Sequence, residues 1–332
     1  MIRHCEERSD EAIQRASEAA LDCFAALAMT KCLAIKLGKP LTRCSPTSCD
    51  NNHMTKVLLT LDTALSWAFH AAGASWQESL AGLGLPRCLE SLGDHDLKAC
   101  FFVDPMPALV YGIEPVRRMV EPILAAGQDV QLLLHPVWQS VAEGVAEGAR
   151  FELTCYDGED QLDLIETARD LLVEAGAPAP VAFRSGGFAA DVRTLAALLQ
   201  AGLRFDSSHC PGRSSLPFEP DLAGPADLGG LVEVPVALQL GAASGDEIEA
   251  RLGHAWRTGQ SPVTLAGDTS GTADFDGLWA LLANQTPSIS TVHFADLESP
   301  TDAATTHLPS PWRRGRRMAE PAWPNVLHAQ GM

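Results

Sequence analysis

The sequence predicts an α/β fold built as a distorted (β/α) barrel, and three observations carry that expectation. From Met54 onward, short β-rich runs alternate with longer helical patterns, the order that parallel strands joined by crossover helices impose. Eight such β-rich runs can be marked, the count of a full barrel. Polar residues close five of them, where a core would be apolar.

Strands are expected at KVLLTLD (56–62), KACFFVD (98–104), DVQLLLH (129–135), VAFR (181–184), LRFDSS (203–208), LVEVPVAL (231–238), PVTLAG (262–267) and ISTVHF (289–294). Helical spacing covers 114–126, 160–175, 191–201, 246–257 and 274–284. Each of these opens on an acid, where the helix dipole favours negative charge.

The barrel is expected to occupy 54–300 as one domain. Residues 1–53 hold five of the nine cysteines (Cys5, Cys23, Cys32, Cys44 and Cys49) and lack the alternation, so they are expected to stand outside the native domain. The string HCEERSDEAIQ followed by LDCFAALAMT resembles a translated bacterial dispersed repeat, which would put the natural start at Met54. The alternative there is an amphipathic helix over 11–27 packed on the domain. Residues 301–332 carry four prolines and the run Arg313, Arg314, Gly315, Arg316, Arg317 without apolar periodicity; disorder is expected for this tail.

Composition narrows the function classes. A chain of 332 residues with 46% hydrophobic content can bury a large core. Its formal charge of −18 would repel phosphate backbones and anionic membrane surfaces, so no nucleic-acid partner is expected. The body cysteines Cys88, Cys100, Cys155 and Cys210 show no CxxC spacing, which argues against a zinc knuckle and for buried small hydrophobes. The apolar run from Cys23 to Thr30 is far shorter than the about 20 residues a bilayer span needs. Glu6, Glu7, Asp10 and Glu11 crowd the position where an export signal carries positive charge. A cytoplasmic protein is expected.

In a parallel barrel the active site lies at the carboxyl ends of the strands. Asp62, Asp104, His135, Arg184 and Asp206 stand there. Each alone fits a turn former, a helix cap or a satisfied structural histidine; as a set they mark a site. The segments LLTLDT, KACFFVDPMPAL, LHPVW, FRSGGF and FDSSH, in this order and spacing, resemble the NodB-like polysaccharide deacetylases, particularly a bacterial subgroup associated with cell-surface polysaccharide genes. That resemblance implies a carbohydrate substrate and hydrolysis of its N-acetyl or O-acetyl groups. It also implies a divalent ion, zinc being the expectation, that polarises the acyl carbonyl and activates water. By position, Asp62 matches the general base, His135 a metal ligand and Arg184 the arginine that orients the base.

The departures from the family pattern carry equal weight. Ala64 stands where the subgroup has Glu, and Leu133 where it has a second histidine, whereas a catalytic metal commonly takes three protein ligands. Asp104 is the candidate replacement ligand, although Pro105 after it marks a turn. The late family histidine that acts as general acid has no counterpart at Gly267 or Asp268, which leaves His293 on the last strand as the catalytic candidate. His209, Trp67, Trp76 and Trp138 are candidates to line a sugar cleft or to pack inside. Two readings follow: a metal-dependent carbohydrate deacetylase, or a degenerate homologue that binds carbohydrate without hydrolysing it. An isomerase or aldolase on the same barrel would want a lysine at a strand end, and Lys56 and Lys98 sit at strand beginnings.

Overall fold

The computed structural model describes residues 54–145, 148–210, 224–269, 275–284, 289–297 and 304–305. The extension at 1–53, with its expected repeat or helix, lies outside the described residues, as does the tail apart from Ala304 and Thr305.

Every expected strand has a counterpart. They are β1 (Thr55–Thr63), β2 (Cys100–Val103), β3 (Asp129–Leu134), β4 (Ala182–Ser185), β5 (Phe205–Asp206), β7 (Val232–Glu233) with β8 (Val236–Gln239), β9 (Val263–Asp268) and β10 (Ile289–Thr291). Two short strands were not expected: β6 (Ala226–Asp227), antiparallel to β7, and β11 (Ala304–Thr305), which lies in the tail expected to be disordered. The sheet runs β11-β6-β7-β5-β4-β3-β2-β1-β9-β8.

The run expected as one strand at 231–238 is the seam of the barrel. Pro235 lacks the amide a ladder needs, and there the run breaks into β7, which pairs with β5, and β8, which pairs with β9 at the opposite end of the sheet. Glu233 and Val236 are three Cα steps apart, at most about 11 Å. The two ends of the sheet must therefore meet, and the sheet curls into an incomplete barrel.

Strand alternation sorts the side chains into two layers. Leu59, Leu61, Phe101, Val103, Leu132, Leu134, Phe183 and Leu265 join the main core between sheet and helices. Leu58, Phe102, Leu133, Ala182, Phe205 and Val234 fill the inside of the curl. β10 pairs only with Thr55, Lys56 and Val57 at the start of β1, and the Phe294 ring that follows packs on Phe102 and Phe205, each at 5.6 Å between centroids. The amino-terminal end of the barrel is thereby plugged, and the carboxyl end holds the polar residues.

The long helices fall where their spacing places them: α5 (Glu114–Ala125), α7 (Gly158–Glu174), α8 (Val192–Gln200), α9 (Gly245–Thr258) and α10 (Phe275–Asn284). Three of their starts are fixed by side-chain caps. Asp157 accepts from the Glu159 and Asp160 amides, and Asp191 with Thr194 and Ser244 with Glu247 form capping boxes. Five further helices escaped the sequence reading: α1 (Trp67–Ala71), α2 (Trp76–Ala81), α3 (Leu85–Asp94), α4 (Ala108–Tyr111) and α6 (Val137–Ala142). For α3 the signal was present, since Leu85, Cys88, Leu89 and Leu92 recur at one-turn spacing and all are buried.

Cys88, Cys100 and Cys210 are buried as expected, and burial pushes the Cys88 thiol up to about 12. Cys155 is exposed instead, at the end of a short 3-10 turn just before α7. Among the described residues no helix is long and apolar enough to cross a membrane.

Phe294→Ala should cost about 3–5 kcal/mol, because it empties the plug between Phe102 and Phe205. Urea unfolding should show a lower midpoint with an unchanged slope.

Candidate active site

Asp62, Asp104, His135 and Arg184 come together at the carboxyl end of the barrel, on β1, just past β2, just past β3 and on β4. Inward-facing residues on neighbouring strands share a face, and the register sets Asp62 beside Phe102 and Leu133 beside Arg184.

Arg184 is fully buried, and its guanidinium is held from every side. Nη1 donates to Asp62 Oδ1 at 2.7 Å, Nη2 to Thr60 Oγ1 at 2.9 Å and to Ser207 Oγ at 3.0 Å, and Nε to the Ser207 carbonyl at 3.1 Å. The ring of Phe102 lies beneath it at 4.3 Å and that of Phe188 at 5.6 Å. A buried cation demands such partners, since an unpaired one carries a desolvation penalty of several kcal/mol. Asp62, by contrast, is 28% exposed, so the arginine aims a carboxylate that solvent and substrate can reach.

His135 forms the second pair. Its Nδ1 meets Asp104 Oδ2 at 3.2 Å, and Asp104 is fully buried while the imidazole is 33% exposed. The other Asp104 oxygen accepts the Met106 amide at 3.1 Å, so this fully buried acid is the partner of His135 and does not stand in the open site as the replacement ligand the sequence suggested. Burial works to lower the His135 pKa, but the hydrogen bond and charge of Asp104, with the charge of Asp62, outweigh it and raise the value above the ordinary one. The ring lies flat on Gly186: a Cβ there would stand 2.3 Å from His135 Cδ2 and 2.7 Å from Nε2. Only glycine leaves room for this imidazole.

His293 is set apart. Thr291 pairs with Val57, and Asp62 lies five residues farther along β1, roughly 16 Å at the rise of a strand. His293 therefore belongs to the plugged end, where burial lowers its pKa and its charged neighbours are Asp129, Lys98 and Asp296. Asp206 is also set apart, by parity: it pairs with Phe183, whose ring faces the helices, so its carboxyl lies behind the sheet from Arg184.

Sequence reasoning missed Thr60, Ser207, Gly186 and Phe188. Phe188 is held at φ 63°, a conformation costly for a bulky residue and frequent near functional sites. Asp268 was passed over as a non-histidine, yet it pairs with Asp62 across β1 and β9 and is exposed on the same face. Of the candidate sugar-facing residues, Trp138 is buried against His70 and Tyr111, which hydrogen-bond each other. His209 is buried. Trp67 meets the exposed Phe151 edge to face at 5.0 Å, and Trp76 packs against the core.

A catalytic divalent ion needs about three converging protein ligands. With Asp62 Oδ1 on Arg184 and both Asp104 oxygens accepting hydrogen bonds, the metal-binding atoms at this end are Asp62 Oδ2, His135 Nε2 and the neighbouring Asp268 carboxyl. Among the described residues no three His, Cys, Asp or Glu groups converge to hold a metal. The residues present do not fit the ion that the resemblance implies.

No protein-family model matches the chain, and no curated protein matches it. Solved structures do. A protein of Mycobacterium smegmatis assigned as a polysaccharide deacetylase is 19% identical with a TM-score of 0.51 over 77% of this chain and 93% of that one. A family 4 carbohydrate esterase from Streptomyces lividans, in complex with acetate, is 16% identical with a TM-score of 0.42 over 74% and 94%. A family 4 pseudoenzyme from Bacillus anthracis is 14% identical with a TM-score of 0.42 over 73% and 64%. The first likeness shows the fold, that of the polysaccharide deacetylases; the other two are too loose to carry an argument.

In a histidine-detected NMR titration His135 should titrate above the ordinary value of about 6.5. Its contribution to stability should be in full below that value and fade as pH rises through the raised one. Asp104→Asn should lower the titration relative to wild type, because burial is then opposed only by the charge of Asp62. Gly186→Ala should do the same by pushing the ring off Asp104; a wild-type titration in that variant would mean the ring does not rest on the glycine.

Proposed function

We propose that this chain acts on an acetylated carbohydrate at the carboxyl end of its barrel, with Asp62 as general base. The observation that carries the reading is the ion pair between a fully buried Arg184 and a partly open Asp62 at 2.7 Å. A charge-assisted hydrogen bond of this kind fixes the direction of the carboxylate, and general base catalysis needs such aim.

The two pairs have complementary roles. Asp62 takes the proton of a water that attacks the acyl carbon. His135, whose affinity for a proton Asp104 raises, offers Nε2–H to the acyl oxygen and then to the leaving nitrogen or oxygen of the sugar. Asp104 positions the ring, and Gly186 keeps the space it needs. The base on β1 and the acid past β3 thus flank β2, each with its own buried partner of opposite charge.

The second reading, a carbohydrate-binding protein without hydrolytic activity, is favoured by Ala64 and Leu133 at the two positions where the family pattern has further ligands. Leu133 is fully buried in the inner apolar cluster, so that position serves packing here.

Turnover of acetylated oligosaccharides by protein purified without chelator, with elemental analysis of the same sample, separates the readings. Asp62→Asn should lower turnover by about 10²–10⁴-fold with the fold retained, because the amide oxygen can still accept from Arg184. Unchanged turnover in that variant would remove Asp62 from the chemistry. Zinc or another divalent ion bound one to one and lost on His135→Ala would restore the metal-dependent form of the reaction. No turnover with any acetylated sugar would leave the binding reading.

A further inference from the structure

Behind Arg184, on the helix side of the sheet, two acids face each other. Asp206 and Glu233 are register partners across β5 and β7, at the seam where the sheet closes, and both are fully buried. Asp206 Oδ1 accepts from the Ser208 amide at 3.1 Å and the Ser208 hydroxyl at 2.5 Å, and Glu233 Oε1 accepts from the His209 amide at 3.1 Å. Asp206 Oδ2 and Glu233 Oε2 are shielded from solvent and meet no donor among the described residues. As register partners on adjacent strands, the two acids bring these orphan oxygens to the same face in the same dry space. Two ionised carboxylates cannot satisfy each other there, because each is acceptor-only, whereas one proton between them can.

We propose that Asp206 and Glu233 share a single proton, and that this proton holds the 206–209 turn which seats Arg184 and so aims Asp62. The turn is the link. Ser207, between the two anchored residues, gives Arg184 both its carbonyl and its hydroxyl. Ser208 Oγ, while donating to Asp206, accepts the amide of Ser185, the residue after Arg184. With the proton in place the pair carries one negative charge, set against the guanidinium across the sheet; without it two like charges are buried side by side and the turn is pushed open. Asp206 and Glu233 are thus positioning residues that act through Ser207.

The surroundings favour this state. Burial raises the pKa of both acids, against the charge of Arg184 and the hydrogen bonds from the turn, which lower it; for Glu233 the charge of Asp206 adds to the rise. Among the other described charged groups nearby, Asp227 on β6 turns to the Gly229 and Gly230 amides, and Arg204 before β5 lies over the Phe205 ring at 5.1 Å. The inference does not rest on hydrolysis and can be read without a substrate.

The sign follows from linkage. In the unfolded chain both carboxyls are ionised above about pH 5, while the native pair keeps its proton to a higher pH. The unfolding constant should therefore rise about tenfold per pH unit across that window, and the rise should stop once the native pair ionises. Glu233→Gln puts an amide N–H where the shared proton was and keeps the shape. Against wild type, the full-length variant should lack this slope, and the comparison cancels His135, which is common to both. The Arg184 Nε–H signal should resist exchange at neutral pH in both proteins, lose that protection in wild type as the pair ionises, and keep it in Glu233→Gln at the same pH. Infrared spectra of wild type should contain a protonated carboxyl band that Glu233→Gln removes. Equal slopes and equal loss of protection in the two proteins would overturn the proposal, as would a wild-type spectrum without that band, which can be read even if the variant does not fold.

Discussion

The structure is organised around a cation placed inside a barrel. Arg184 points inward from β4 into a space that its neighbours fill with Leu58, Phe102 and Phe205, and a guanidinium in such surroundings needs each of its donors answered. The demand reaches four elements. Thr60 and Asp62 on β1, Ser207 past β5 and the Phe102 ring on β2 are all engaged with it. Phe188 takes a left-handed conformation and its ring covers the cation. A single residue fixes the relative heights of three strands and the shape of the turn after a fourth.

This explains why the two ends of the barrel are so different. At the amino-terminal end Phe294 and its aromatic contacts seal the interior, which excludes water from below Arg184 and strengthens its electrostatic interactions. At the carboxyl end Asp62 and His135 remain partly open. The seam through Val234 and Pro235 lies between these regions, and Pro235 is the reason it is a seam: without an amide at that point one strand cannot continue the ladder to both neighbours.

The sequence made the barrel legible because strand and helix periodicities differ, and eight alternating segments survive errors of a residue or two at their ends. Asp62, Asp104, His135 and Arg184 were legible for the same reason, as polar residues ending apolar strands. What was hidden depends on facts that one-dimensional pattern does not hold. His293 looked like a strand-end residue, but ISTVHF pairs with only the first three residues of β1, so its end is level with the barrel floor. Asp206 looked like a fifth site residue, yet the two-residue alternation turns it to the other face. The role of Asp104 needed coordinates, because a ligand and the partner of a histidine have the same spacing. Gly186 was visible only as part of a turn, while its actual constraint is the ring that lies on it.

The identities of residues 64 and 133 and the packing of the inner core are linked in this chain. Leu133 is the register partner of Arg184 and part of the apolar filling beneath His135, and Ala64 packs against the same cluster. A polar ligand at either position would compete for the space that keeps the guanidinium dry, and Arg184 would then lose part of the low-dielectric setting in which its bond to Asp62 is strong. With leucine and alanine there, His135 is held by Asp104, and the positive charge against Asp62 is that of Arg184. The open end therefore carries two directed pairs, Arg184 fixing the Asp62 carboxylate and Asp104 fixing the His135 ring.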